Sequence, residues 1–142
     1  MKILVFGGLG FIGSNFVNWC FQNRLEWEIK IADGYTYASD ESRLSPDNDV
    51  EIHRARLQDS TEYIHLMDWA DLVVNFAAET HNDNSLVRPG TFVETNVNGV
   101  FELLQACRSH KVALIQISTD EVFGDFPLSS NLSADESYPF RP

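Results

Sequence analysis

Gly7-Gly8-Leu9-Gly10-Phe11-Ile12-Gly13 lies directly after the apolar run Ile3-Leu4-Val5-Phe6 and directly before a stretch with helical periodicity. Few features restrict a chain more. A tight strand-to-helix turn needs residues without side chains, and a glycine one turn into the helix lets that helix lie close to the strand it follows. The opening Met1–Phe6 breaks at Gly7, too early for the apolar core of a secretory signal. It reads as a first strand, buried on both faces and therefore apolar almost throughout.

The rest of the chain alternates in the same way. Phe11–Gln22 is a helix by the spacing of Phe11, Ile12, Phe16, Val17 and Cys20. Glu28–Ala32 is a second strand ending at Asp33, Val50–Arg54 a weaker third, Leu72–Phe76 a fourth and Val112–Ile117 a fifth. Thr61–Trp69 reads as a short helix with Ile64 and Met67 on one face. Pro89 sits where helices like to begin, and a long helix is expected over Thr91–Ser109. Val93, Val97, Val100, Leu104 and Cys107 are its expected inner stripe. Phe92, Leu103 and Ala106 form a second strip, free to meet a partner subunit.

Strands alternating with helices predict an α/β fold, a Rossmann-type doubly wound parallel sheet of about five strands. Right-handed crossovers favour the order 3-2-1-4-5. Residues 1–142 read as one domain, with an irregular tail over 125–142 rich in serine and proline.

Ten basic against 21 acidic residues give a net charge of −11. Such a surface repels nucleic-acid phosphates and anionic membranes, so neither is an expected partner. Cys20 and Cys107 fall in apolar helical stretches and read as buried thiols in a reducing, cytoplasmic compartment. No apolar run approaches a membrane span. His53, His65 and His110 read as surface residues, with no spacing that suggests a metal site. Trp19, Trp27 and Trp69 read as core or interface.

The chemistry gathers at four places where an apolar run gives way abruptly. They are Gly7-Gly8, Asp33-Gly34, Ala77-Ala78-Glu79-Thr80-His81 and Ser118-Thr119-Asp120-Glu121. In an open parallel sheet these are the carboxyl ends of strands, where ligands bind. The glycine turn and helix N-terminus offer backbone N–H groups to a pyrophosphate, with Gly7, Gly10 and Gly13 at the points of closest approach. Asp33, 20 residues beyond Gly13, is placed to accept from ribose hydroxyls and to repel a 2′-phosphate. The expected cofactor is therefore NAD rather than NADP. Taken alone, Asp120-Glu121 reads more readily as a solvated loop than as a site.

Val5–Phe16, Asp33-Gly34-Tyr35-Thr36-Tyr37-Ala38, Val74–His81, Thr95-Asn96-Val97-Asn98-Gly99 and, most specifically, Ser118-Thr119-Asp120-Glu121-Val122-Phe123-Gly124 resemble the dTDP-glucose 4,6-dehydratases. These are extended short-chain dehydrogenases/reductases. The resemblance implies oxidation of a sugar C4 hydroxyl with hydride passing to NAD, elimination of water across C5 and C6, and return of the hydride to C6. It implies that Asp120 is the acid for the leaving hydroxyl and Glu121 the base for the C5 proton, with Thr119 near the C4 oxygen. Phe11, Ile12, Phe76, Ala77, Ala78 and Ser118 join the cofactor site, and His81 lies near a nucleotide-sugar substrate of the dTDP-glucose type.

The departures are specific. A threonine common before the glycines is Phe6, an acidic residue that holds adenine after the third strand is replaced around Arg56-Leu57-Gln58-Asp59, and an arginine after the fourth strand is Asn84. The family's Tyr-x-x-x-Lys pair is not among the 142 residues: Tyr138 is followed four residues later by Pro142. The resemblance therefore implies the N-terminal part of such an enzyme, truncated before the substrate domain and inactive alone; the outer strip Phe92, Leu103 and Ala106 makes a homodimer or other homo-oligomer the expected assembly. Another extended short-chain enzyme, such as a nucleotide-sugar epimerase, and a non-catalytic nucleotide-binding module remain as alternatives.

Overall fold

The computed structural model describes residues 1–126 and 133–142. Part of the expected tail, residues 127–132, lies outside the described residues. Five strands form one sheet: β1 (Lys2–Phe6), β2 (Glu28–Asp33), β3 (Glu51–Arg54), β4 (Leu72–Asn75) and β5 (Ala113–Gln116). Every pairing is parallel and the order is β3-β2-β1-β4-β5. A parallel pair needs a crossover, and right-handed crossovers running outward from β1 in both directions place helices on both faces.

The period of two along β1 divides the core. Leu4 and Phe6 face one layer, with Ala32, Leu57, Tyr63, Met67, Val73, Leu103 and Ala106. Ile3 and Val5 face the other, with Leu9, Val17, Cys20, Ile31 and Val74. α1 (Phe11–Asn23) covers the second layer. The first is closed by α2 (Ile64–Met67) and α5 (Val100–His110). Tyr63 is fully buried, stands edge-on to Phe6 at 4.9 Å, and donates its hydroxyl to the Leu57 carbonyl at 3.1 Å. That bond satisfies a group that burial would otherwise penalise by about 1–3 kcal/mol. Both cysteines are buried and free, and burial pushes both thiols above their ordinary range.

Two expectations about helices need correction. The segment read as one helix over Thr91–Ser109 consists of α4 (Pro89–Val93), a π-helical stretch over Glu94–Gly99, and α5. The wider turns of the π stretch change the helical phase, so a stripe counted at 3.6 residues per turn does not stay on one face. Leu103 and Ala106, expected outside, are buried against the sheet, while Val93, Val97 and Leu104, expected inside, are exposed. Gly99 fixes the contact: a Cβ there would lie 2.7 Å from that of Leu57. Likewise Thr61–Trp69 is a 3₁₀ turn (Ser60–Glu62) followed by the short α2, and Leu66 joins Met67 in the core while Ile64 is exposed. His53 and His110, expected at the surface, are half-buried and pair with Glu51 and Asp68 at 2.8 and 2.7 Å.

No helix among the described residues is long and apolar enough to cross a membrane.

Candidate functional site

The glycine turn is built by backbone alone. Gly7 adopts φ +71° and Gly10 N donates to Gly7 O at 3.1 Å. A Cβ on Gly7 would lie 2.7 Å from Ala77 N, so both its conformation and its closeness to the β4 loop require glycine. Gly13 sits one turn into α1 against the turn itself: a Cβ there would overlap Gly7 O and lie 3.0 Å from Gly8 Cα. No side chain caps α1, and its first turn holds no acidic residue. The N–H groups that open a helix lack intrahelical partners and carry its positive dipole end. They are left for an anion, and the donors and the glycine cradle fit a diphosphate.

Asp33 closes the end of β2 and is almost fully buried. Its Oδ2 accepts from Leu9 N at 3.0 Å, and its Oδ1 accepts from Tyr35 N at 2.9 Å and Ser39 Oγ at 2.6 Å. A carboxylate offers about four lone-pair positions, so one on Oδ2 remains. Asp33 thus ties the glycine turn to the loop after β2 and keeps an acceptor facing the cleft. Arg43, for which no local signal exists in the sequence, secures the same turn by donating to Leu9 O at 2.9 Å and Ala38 O at 2.6 Å.

The opposite wall comes from β4. Asn75 is fully buried, donates to Gln116 Oε1 at 2.8 Å and accepts from Ala77 N at 3.0 Å, which turns the chain sharply at the strand end. Asn96, from the π stretch, grips the Glu79 backbone twice, at 2.9 and 2.8 Å. Tyr37 donates to Glu79 Oε2 at 3.1 Å, joining the loop after β2 to the loop after β4. A polar residue inside the apolar run Leu72–Phe76 was the available signal for Asn75, whereas the Tyr37–Glu79 contact leaves none in the sequence.

One cleft results. Gly7, Gly10, Asp33, Phe76, Ala77 and Ala78 line it together, as do Arg56, Leu57 and Gln58 from the loop after β3. Phe11, Ile12 and Gly13 follow Gly10 in the first turn of α1 but do not line the cleft; Phe11 and Ile12 are exposed, and Ile12 lines a separate apolar hollow with Phe16, Ile115 and Ile117. Asp59 does not line it; its carboxylate caps the following turn, accepting from Thr61 N at 3.2 Å and Thr61 Oγ1 at 2.6 Å. Arg56 takes the cleft side, with its N–H and guanidinium on Glu62 at 2.8 and 3.1 Å. Those bonds, the backbone one first, hold the Glu62 carboxyl below the usual carboxylate range.

Ser118 and Thr119 follow β5 at the same edge of the sheet, and Asp120 and Glu121 open a 3₁₀ turn over Asp120–Phe123. All four are exposed. Ile117 N donates to Asn75 O at 3.1 Å, so this segment leaves the sheet beside the cleft's β4 wall. His81 is exposed at the start of α3 (Asn82–Val87), its ring 5.9 Å from that of Tyr37.

Sheet order, glycine turn and cleft together define a Rossmann-type dinucleotide-binding domain. The chain belongs to the GDP-mannose 4,6-dehydratase family, whose model matches residues 4–142. It is 39% identical over its whole length to dTDP-glucose 4,6-dehydratase of Mycolicibacterium smegmatis, covering 43% of that protein. Dehydratase 1 of Escherichia coli is 36% identical, with 98% of this chain and 42% of that one covered. Among solved structures, DesIV, the dTDP-glucose 4,6-dehydratase of Streptomyces venezuelae with NAD bound, superposes with a TM-score of 0.88 at 34% identity, covering all of this chain and 46% of that one. UDP-glucose 4-epimerase of Thermus thermophilus in complex with NAD gives 0.85 at 28%, covering 100% and 45%. The chain therefore spans less than half the length of the relatives it matches.

Proposed function

We propose that this chain is the NAD-holding, N-terminal part of a nucleotide-sugar 4,6-dehydratase acting on a dTDP-glucose-type substrate, and that it contributes the acid–base pair of the elimination. The observation that carries the reading is the cleft formed by the glycine turn, Asp33 and the Ala77-Ala78 wall, on the same sheet edge as Ser118–Glu121. Gly7, Gly10 and the N-terminus of α1 hold the diphosphate. Asp33 accepts from a ribose hydroxyl through its remaining lone pair and repels a 2′-phosphate. NAD supplies the hydride acceptor when bound.

Thr119 donates toward the C4 oxygen, Asp120 protonates the departing C6 hydroxyl and Glu121 removes the C5 proton. In a 3₁₀ turn, at three residues per turn, neighbouring side chains point ~120° apart. Asp120 and Glu121 are thus adjacent in sequence yet aimed at different atoms, as an acid and a base of one elimination must be. The Asp-Glu pair favours the dehydratase reading over the epimerase one. His81 and Tyr37 flank the approach of the substrate.

Replacing Gly10 by leucine tests the cofactor assignment. The side chain projects into the space assigned to the diphosphate, so calorimetry gives NAD binding to the wild-type chain and none to Gly10→Leu. Equal binding by both places the cofactor elsewhere.

The same proposal places the protein in the cytoplasm as a homodimer. Val93, Val97, Phe101 and Leu104, spread over α4, the π stretch and α5, are exposed apolar residues, and they replace the Leu103–Ala106 strip as the surface offered to a second copy. Light scattering at high concentration gives twice the monomer mass, and a clean monomer contradicts this assignment.

A further inference from the structure

We propose that Arg43, which does not line the cleft, is a positioning residue for the dinucleotide: it holds the Leu9 carbonyl away from the cleft, so that the glycine turn offers a diphosphate donors and no acceptor. The inference rests on the dinucleotide reading given above. Leu9 stands inside the glycine turn, between Gly8 and Gly10, and is fixed at each of its parts. Its side chain is fully buried in the layer that α1 covers. Its N–H donates to Asp33 Oδ2 at 3.0 Å. Its carbonyl oxygen accepts from Asp40 N at 3.0 Å and from Arg43 Nη1 at 2.9 Å. Gly7 and Gly10, on either side of Leu9, line the cleft, whereas Asp40 and Arg43 do not.

The Leu9–Gly10 peptide is thereby held at both ends. Its N–H, at Gly10, closes the turn on Gly7 O at 3.1 Å, and its oxygen points to the segment after β2. A backbone turn binds an anion by presenting N–H groups, and a carbonyl oxygen rotated into the same space would meet the diphosphate as acceptor against acceptor. The holding bond is charge-assisted, so it is stronger than a neutral one. The brace is itself braced. Arg43 ends the 3₁₀ turn Glu41–Arg43, and its Nη1 also donates to Ala38 O at 2.6 Å. Its own carbonyl accepts from Asn18 Nδ2 at 2.8 Å, and Asn18 Oδ1 accepts from Ser45 N at 2.9 Å and Asn48 Nδ2 at 2.8 Å. α1 thus holds the main chain of Arg43, and the Arg43 side chain holds the residue that precedes α1. Asp40 Oδ2 lies 4.0 Å from Arg43 Nε, too far for a hydrogen bond, and Asp40 Oδ1 serves Ser42. The two carbonyls are what the guanidinium holds.

Calorimetric titration with NAD tests the assignment. Arg43→Met keeps an apolar stem and removes both bonds, and it binds NAD about tenfold more weakly than wild type, the equivalent of 1.4 kcal/mol. Both bonds come from one nitrogen, so the Nζ of Arg43→Lys, with three N–H donors, takes its place and keeps the affinity within about threefold of wild type. The Arg43→Met deficit persists at ~1 M salt, where charges are screened beyond ~3 Å and a general attraction between guanidinium and diphosphate is lost. A purely structural role lowers Tm and leaves the affinity of the folded chain unchanged. Wild-type affinity in Arg43→Met, or a deficit that vanishes at high salt, overturns the proposal. If Arg43→Met does not fold, Arg43→Lys decides, and a loss of about tenfold or more in that variant overturns it. Absence of NAD binding by the wild-type chain overturns the cofactor reading itself, and this inference with it.

Discussion

A polypeptide of these 142 residues converts no dTDP-glucose, even with NAD added, although it carries the proposed acid and base. The order of steps explains why. Removing the C5 proton becomes feasible only when C4 is a ketone, because the carbonyl spreads the developing negative charge. Oxidation at C4 needs a base on the C4 hydroxyl, and such general-base assistance is typically worth ~10²–10⁴-fold. The resemblance assigns that work to the tyrosine of a Tyr-x-x-x-Lys pair, and none of Tyr35, Tyr37, Tyr63 and Tyr138 is followed by lysine four residues later. Glu121 therefore faces a proton that is not yet acidic. Substrate positioning, which can contribute ~7–11 kcal/mol in well-oriented systems, is also weakened when only this part of the site is present. The absorbance of the 4-keto-6-deoxy product in base reports the outcome. Silence, followed by turnover when the remaining segment of a full-length relative is supplied, supports the account. Turnover by the 142 residues that Glu121→Gln abolishes contradicts it.

Gly13→Val acts earlier, on the fold. Its Cβ overlaps Gly7 O and crowds Gly8 Cα, so α1 must lift from β1 just where the two pack most closely. Overpacking of this kind costs about 1–3 kcal/mol, occasionally more, from a total stability of roughly 5–15 kcal/mol. At about 2–4 °C per kcal/mol for a chain near this size, Tm falls on the order of 5–10 °C. NAD binding is lost as well, because lifting α1 withdraws the N–H groups at its start. Gly90→Ala is the control: a Cβ there has nothing within 4 Å, so neither Tm nor binding falls. Unchanged melting of Gly13→Val is the result that refutes the packing argument.

The sheet was legible in the sequence because its information is local. Apolar runs of three or four residues mark β1, β4 and β5, the more polar β2 alternates with Ile29 and Ile31, β3 carries the single Ile52, and crossover handedness then leaves little freedom in the order. The helix after Pro89 was not legible at the level of its faces. Val93, Val97 and Leu104 fit an α-helical stripe, yet the π stretch between α4 and α5 resets the phase, and nothing in Glu-Thr-Asn-Val-Asn-Gly marks it locally. That stretch has a use: it carries Asn96 to the Glu79 backbone and Thr95 to the cleft. Departures of this kind from regular α-helix cluster at functional sites.

For the site, the sequence located the glycine turn, Asp33 and the strand ends, which depend on spacing along the chain. It did not reveal that Asp33 serves three donors of its own fold before any ligand, because Leu9, Tyr35 and Ser39 reach it only after folding. Nor did it reveal that Arg56 rather than Asp59 faces the cleft. That arrangement depends on contacts made only after folding: Asp59 accepts from Thr61, while the Arg56 guanidinium bonds Glu62 and lies 3.9 Å from Asp59.

The most direct test of the central claim is calorimetric titration of the wild-type chain with NAD and NADP side by side. Asp33 is buried, anchored by three donors and left with one acceptor position, which the proposed reading gives to the ribose. The account predicts NAD binding at least about tenfold tighter than NADP, since a 2′-phosphate would bring like charge against that carboxylate. NADP binding as tight as NAD, or no binding of either, contradicts it.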